Sequence, residues 1–235
     1  MPTKSNCELF KNGDIDELIG LDLKEKILEA DYTIFNLEVP LTDKENQIDK
    51  NGPNLIAPTY TINGIKRLNP SLLSLANNHI LDQNTEGLNS TLNILNDCNI
   101  NHIGAGKNII EANSYKIFEK EGIKVAFYAV AEHEFSIASE KSPGANPFDP
   151  LYTLDKIEEI KKLVDYLIVL YHGGKEHYRY PSPNLQKVTR RIVEKGADLV
   201  ICQHSHTIGC EEKYQNSKIV YGQGNFIFDR SNNEH

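Results

Sequence analysis

The feature that most constrains this chain is a set of four short apolar segments, each of which stops at a side chain able to bind a metal. In chain order these segments end at Glu38, at Asn78 with His79, at His172, and at His204 with His206. Ligands of α/β sheets collect at the carboxyl ends of the strands. Four such endings are too many for coincidence, so we expect these side chains to converge on one site.

The spacing of apolar residues predicts strands that alternate with helices. Helical spacing covers residues 16–30, 85–96, 154–163 and 185–195, and strand-like runs cover 31–38, 72–76, 100–103, 165–171 and 219–221. A further short buried strand is expected in the run that follows Gly196 and stops at His204. A hairpin is expected to join 115–119 to 123–130, no strand is expected in 1–16, and 52–64 is expected to be irregular. This alternation indicates an α/β fold. Since no repeat or low-complexity linker interrupts the chain, we predict a single domain over residues 1–235.

Composition excludes several classes of protein. The formal net charge of −8 over 235 residues argues against nucleic acid as a partner. No run of about 18 apolar residues predicts a membrane helix, and residues 1–7 lack the apolar core of a signal peptide. The four cysteines include no C-x-x-C pair, which favours reduced thiols over a disulfide framework or a zinc ribbon.

The residue types at the strand ends suit a transition-metal centre. The candidate ligands are Glu38, Asn78, His172, His204 and His206. Mixed imidazole and oxygen donors favour Mn, Fe or Zn over calcium, and a carboxylate can bridge two such ions. His79 follows a candidate ligand directly, so we expect it to act as a general acid, with Asp82 orienting its ring. Metal-bound hydroxide would then attack a phosphoester or a similar centre.

Other polar residues are candidates for contact with a substrate. They are Asn77, Glu176, Arg179, His133 and Asn225. Structural explanations stay open as well: Glu176 is then a solvated surface residue, and the Tyr178-Arg179-Tyr180 segment is a packed loop. Otherwise we interpret that segment as an anion clamp. Gly222 and Gly224 are expected to permit close approach of the backbone. A thiolate zinc site at Cys202 and Cys210 is disfavoured because it would need four closely ordered ligands.

Six motifs of this chain resemble, in the same order, those of the CapA-type capsule synthesis proteins. They are Asn36-Leu-Glu38, Ala76-Asn-Asn-His79, His172-Gly-Gly-Lys-Glu176, Gly196-Ala-Asp198, His204-Ser-His206 and Gly222-Gln-Gly-Asn-Phe226. This poly-γ-glutamate capsule biosynthesis family is a branch of the calcineurin-like metallophosphatases. The resemblance covers about residues 31–228 and implies a four-layer α/β/β/α sandwich with a two-metal centre. It also implies that Asn78 and the three histidines of the strand ends are ligands and that His79 is catalytic.

One motif of the superfamily is absent, namely an opening strand that ends in Gly-Asp. The Gly13-Asp14 pair follows a polar stretch, so Asp14 and Asp16 are expected to mark a helix entry instead. We therefore expect the fold to lack its first strand and its C-terminal strands. The loss of one ligand would reduce metal occupancy from two ions to one or none.

These observations predict a metal-dependent hydrolase that takes part in capsule or poly-γ-glutamate biosynthesis. An anionic small molecule or polymer is the expected substrate, and capsule synthase components are the expected partners. Two alternatives stay open: a non-catalytic component of a synthase complex that binds metal or an anionic polymer, and a structural sandwich whose site has decayed. Localisation stays open as well, because family members often carry a membrane anchor.

Overall fold

The structure is a computed structural model that describes residues 1–132 and 134–228, with the backbone alone described for Glu134. The chain divides into two compact units. The first comprises Met1–Leu75, His79–His102 and the residues from Phe226, and the second comprises Ala76–Asn78 and Ile103–Asn225. Each unit draws on separate stretches of the chain. The single domain over 1–235 therefore stays a prediction.

The first unit is mainly helical around a small sheet. Its elements are α1 (Cys7–Asn12), α2 (Ile15–Ile19), α3 (Leu21–Glu29), β1 (Ile34–Asn36), α4 (Ile62–Arg67), β2 (Leu72–Ser74) and α5 (Asn84–Asp97), and β3 (His102–Ile103) begins at the last residue of this stretch of the unit. The strand order is β1-β2-β3, and β1 is parallel to β2, with Phe35 opposite Leu73. As expected for a helix entry, Asp14 is the N-terminal flanking residue of α2 and Asp16 lies in its first turn.

Two features of this unit differ from the sequence-based expectations. Residues 52–64 were expected to be irregular, but Thr59–Thr61 forms a 3₁₀ turn that leads into α4. The close packing of α1 against α4 explains why a helix forms there, since a Cβ added at Gly64 would lie 2.6 Å from Phe10 Cα. The strands are also shorter than predicted, because the backbone leaves the sheet at Leu37 and at Leu75. Glu38, Asn78 and His79 therefore lie in the segments that follow the strands and not in the strands themselves.

The second unit is built on a larger sheet. Its elements are β4 (Ala105–Gly106), α6 (Ile109–Ala112), β5 (Tyr115–Lys120), β6 (Ile123–Ala131), β7 (Gly144–Ala145), α7 (Tyr152–Lys161), β8 (Tyr166–His172), α8 (Pro183–Glu194), β9 (Leu199–Gln203), β10 (Glu211–Tyr214) and β11 (Ser217–Val220). Six of these strands form a sheet in the order β10-β11-β9-β8-β6-β5. The central strands β6, β8, β9 and β11 are parallel, and the two edge strands are antiparallel.

The core of this unit surrounds β8, which is the most apolar strand of the sequence. Leu167, Val169 and Tyr171 of β8 are almost completely buried, as are Ile157 of α7 and Ile192 of α8. A parallel strand covered by helices reads as a continuous apolar run, which is the pattern that predicted it. The predicted hairpin is confirmed, with Tyr115 opposite Tyr128 and Lys120 opposite Ile123.

The mixed α/β fold with its parallel central strands agrees with the predicted metallophosphatase type. Within the described residues, no helix combines the length and the apolar character needed to cross a bilayer.

Candidate metal centre

Two neighbouring parallel strands of the second unit bring the first pair of candidate ligands together. His172 is the last residue of β8 and lies opposite Gln203, the last residue of β9. His204 follows immediately, and its ring centroid is 5.1 Å from that of His172, with the two planes inclined by 58°. Both residues are buried. Tilted rings at this distance can direct nitrogen atoms at a common point, which stacked rings cannot.

Asn78 contributes an oxygen atom to the same group. Its Oδ1 accepts a hydrogen bond from His172 Nε2 over 2.9 Å, and both side chains are buried. An amide oxygen only accepts, so His172 carries its proton on Nε2 in this arrangement. The two candidate ligands therefore face each other, and His172 can bind a metal only through a ring nitrogen that carries no proton.

The loop after β9 holds its histidines in an unusual backbone conformation. His204 and His206 have φ values of +92° and +52°, and His177, which donates its N–H to Ser205 O at 2.8 Å, has a φ of +61°. Residues other than glycine rarely adopt positive φ, and such strain is concentrated at functional sites. The positive φ values turn the chain sharply after β9, and the ring centroids of His204 and His206 lie 6.1 Å apart.

Glu176 and Asn225 lie against these histidines. Glu176 Oε1 is 3.6 Å from His204 Nε2, and the ligand atoms of Glu176, His204 and His206 all lie within 4.8 Å of one another. Asn225 Oδ1 is 2.8 Å from His206 Nδ1. The expectation for Gly222 is confirmed, because a Cβ added there would lie 2.5 Å from Ser205 Oγ.

A separate buried network surrounds His79 in the first unit. Its Nδ1 is 2.6 Å from Asp82 Oδ2, which also accepts the N–H of Leu55 at 2.6 Å. The Lys50 ammonium forms an ion pair with Asp82 Oδ1 and lies 3.3 Å from His79 Nδ1. The side chains of Lys50 and Asp82 are 3% and 0% exposed. The expected Asp82–His79 contact is present, whereas sequence reasoning missed Lys50, which lies in a polar loop with no motif.

Glu38 is buried two residues beyond the end of β1, and one of its oxygens accepts a hydrogen bond from Asn36 Nδ2 at 2.9 Å. A buried carboxylate requires polar partners of this kind. The approach of Glu38 to the histidines stays a prediction.

The remaining rim candidates are less closely placed. Arg179 is exposed, and the Lys175 ammonium lies over the Tyr178 ring, 4.1 Å from its centroid. The anion clamp expected of the Tyr178-Arg179-Tyr180 segment stays a prediction. Asn77 is completely buried beside Asn78. His133 lies outside the described residues.

Burial raises the pKa of two groups that precede the candidate ligands in β8 and β9. Burial, with a smaller contribution from Glu132, raises the pKa of the Cys202 thiol far above its ordinary value. Cys202 is 1% exposed and belongs to the core of the second unit. Burial also raises the pKa of Tyr171.

The donor set within the second unit fits a divalent transition metal. It consists of imidazole nitrogens, an amide oxygen and a carboxylate, from Asn78, His172, Glu176, His204 and His206. Such mixed donors suit Mn, Fe and Zn, whereas a calcium site would use oxygen atoms alone.

Comparison with known sequences gives matches along most of the chain. A family model described as "Bacterial capsule synthesis protein PGA_cap" matches residues 7–230. The chain is 31% identical over 207 residues to the PGA biosynthesis protein CapA of Bacillus subtilis, which covers 86% of this chain and 54% of that protein. It is 29% identical over 211 residues to the capsule biosynthesis protein CapA of Bacillus anthracis, with 86% and 51% covered. The chain thus spans about half the length of these curated relatives.

Solved structures show the same fold at low sequence identity. A novel phosphatase of Mycoplasma pneumoniae superposes with a TM-score of 0.56 and 15% identity, covering 94% of this chain and 68% of that one. A hypothetical protein of Thermus thermophilus gives a TM-score of 0.54 and 12% identity, with 94% and 72% covered. These similarities show that the chain shares its fold with both solved structures.

Proposed function

Because the chain belongs to the bacterial capsule synthesis protein family PGA_cap, we propose that it takes part in capsule or polyglutamate synthesis as a metal-dependent hydrolase. The curated relatives are named for capsule and PGA biosynthesis, and the fold is that of metallophosphatases. We propose Asn78, His172, His204 and His206 as metal ligands, with Glu38 as a further carboxylate. The metal is Mn, Fe or Zn, with up to two ions bound.

One observation carries this proposal: adjacent strand ends place two tilted, buried imidazoles 5.1 Å apart, with an amide oxygen 2.9 Å from one of them. Burying these three polar groups together costs free energy unless they form hydrogen bonds or bind a metal. A bound divalent metal would supply Lewis-acid polarisation of a phosphoryl oxygen and a nucleophile at neutral pH.

The protein's own contribution to the reaction is proton transfer by His79. Asp82 accepts a hydrogen bond from His79 Nδ1–H, which fixes the ring, and in the doubly protonated ring Nε2–H gives its proton to the leaving oxygen. Lys50 and the Leu55 N–H hold the other lone pairs of Asp82, so the carboxylate cannot rotate away. In this scheme Asp82 and Lys50 are positioning residues, and His79 is the residue that contacts the substrate.

The experiment that tests this function separates metal binding from turnover. Phosphodiester and phosphomonoester hydrolysis is measured with added Mn²⁺, and metal content is measured by mass spectrometry. His79→Asn should lose at least about a hundredfold in turnover while it retains metal, because general acid catalysis contributes roughly 10²–10⁴-fold. His206→Ala should lose both. Equal turnover in His79→Asn and the wild type would contradict the assigned role of His79.

The same measurements address the second candidate function, a non-catalytic component that binds an anionic polymer. The exposed segment 175–180, with Lys175 over the Tyr178 ring and the exposed Arg179, favours such binding. Metal retained with no turnover on any phosphoester would support this second function. It would leave the metal site itself standing.

A further inference from the structure

We propose that Glu176 supplies a carboxylate ligand to the metal bound by His204 and His206, so that this position is completed by the second unit alone. The inference deepens the proposed function and rests on its metal site. It changes the role expected for Glu176, which the sequence suggested only as a substrate contact on the rim.

The distance from Glu176 to His204 matches the separation of two ligands of one metal. Oε1 is 3.6 Å from His204 Nε2, and Oε2 is 3.8 Å from His177 Nε2. Both distances exceed the roughly 2.7–3.2 Å of a hydrogen bond. Ligand atoms placed tetrahedrally at about 2.0–2.2 Å from zinc are about 3.3–3.6 Å apart. The carboxylate oxygen of Glu176 and the ring nitrogen of His204 are therefore as far apart as two ligands of one zinc ion would be.

His206 presents the nitrogen atom that this position needs. The amide oxygen of Asn225 accepts a hydrogen bond from His206 Nδ1–H at 2.8 Å. The lone pair of the ring is then on Nε2. Fixing the tautomer of a ligand histidine through its other nitrogen is the usual arrangement around protein-bound metals. Asn225 is thus a positioning residue for His206, and Glu176 is the third ligand.

Exposure makes Glu176 a suitable test residue. Its side chain is 49% exposed, so its substitution does not disturb the core. The matched control is Glu211, which has 57% side-chain exposure, belongs to the same unit and pairs with Lys218 at 2.6 Å on β10. Glu176→Gln and Glu211→Gln remove the same charge from the same unit, and only the first removes a proposed ligand.

The experiment titrates metal-free protein with Co²⁺ and follows the visible d–d absorption, which reports the ligand set independently of activity. Glu176→Gln should bind Co²⁺ at least about tenfold more weakly than the wild type and with an altered spectrum. Glu176→Asp, which retains the charge, should fall between the two, and Glu211→Gln should match the wild type.

The outcomes separate this inference from the proposed function. Wild-type affinity and spectrum in Glu176→Gln, with Co²⁺ binding lost in His206→Ala, would overturn the role of Glu176 and leave the metal site intact. No Co²⁺ binding by the wild type would contradict the metal site and the inference together.

Discussion

Asp82 is a buried carboxylate that connects several parts of the first unit. Its carboxylate is completely buried and is shared by the Lys50 ammonium, the Leu55 N–H and the His79 ring. A buried charge is tolerated only when it is paired and hydrogen-bonded. Lys50 comes from a loop without regular structure, so the network also fixes that loop beside His79.

Lys50→Met should destabilise the fold strongly. The substitution retains most of the volume of the side chain but leaves the carboxylate of Asp82 without its cation. Breaking one partner out of a buried pair costs about 3–5 kcal/mol, and we expect a loss of about 3 kcal/mol in the free energy of unfolding, measured by urea denaturation. Lys44→Met, at an exposed position of the same loop, should change it by less than about 0.5 kcal/mol. Equal stability of the two variants would refute the importance of this ion pair.

Tyr128 gives a prediction for alkaline pH. Its ring is 1% exposed, its hydroxyl donates to Asn113 Oδ1 at 2.5 Å, and burial raises its pKa to about 12. Between about pH 10 and 12 the folded state keeps the phenolic proton that the unfolded state has lost. The stabilisation is therefore complete below about pH 10 and is lost as the pH rises through 12.

The test compares the unfolding free energies of the wild type and Tyr128→Phe from pH 9 to 12. The advantage of the wild type should shrink by up to about 1.4 kcal/mol per pH unit within this window. Tyr152→Phe serves as a control, because Tyr152 is 75% exposed. Parallel curves for wild type and Tyr128→Phe would show that the burial of this phenol does not cause the pH dependence.

At the scale of elements, α8 begins with a clear start signal. Ser182 flanks the helix, its Oγ accepts the N–H of Leu185 at 3.1 Å, and Pro183 occupies the first turn. This cap fixes where the chain enters the helix whose buried face packs against β9 and β11.

Ser182→Ala should lower the free energy of unfolding by about 1 kcal/mol, since it leaves a helix N–H without its acceptor. Ser182→Asp keeps an acceptor at the same place and should be close to neutral. Thermal and urea denaturation of the three proteins distinguish these results. An unchanged stability for the alanine variant would show that the cap contributes nothing.

The elements that the sequence predicts are those with a regular apolar pattern. β8 and the hairpin were predicted because long apolar or alternating runs have few other solutions. β10 was missed because its sequence, Glu211-Glu-Lys-Tyr214, is that of a polar edge strand without an apolar pattern. The shortest elements, such as β4 and β7, depend on tertiary pairing alone. Boundaries near Leu37 and Leu75 were overextended, because apolar content continues after the sheet ends.

For the whole molecule, the sequence predicted the fold and the strand-end residues, but not how some of them would be held. His172 and His204 meet because β8 and β9 are neighbours, which the strand-end rule anticipates. Lys50 and the Asn225–His206 pair were not assigned because their partners are 29–32 and 19 residues away, respectively, and leave no local pattern. The net charge of −8 also implies that an anionic substrate needs local positive charge, which bound metal would supply.

The most direct test of the metal centre is anomalous X-ray diffraction from crystals soaked in Mn²⁺ or Zn²⁺, recorded above and below the metal edge. We expect a strong anomalous peak about 2.0–2.2 Å from Nε2 of His204 and of His206, and its absence in crystals of His206→Ala. Histidines that carry no anomalous density at saturating metal would contradict the proposed centre.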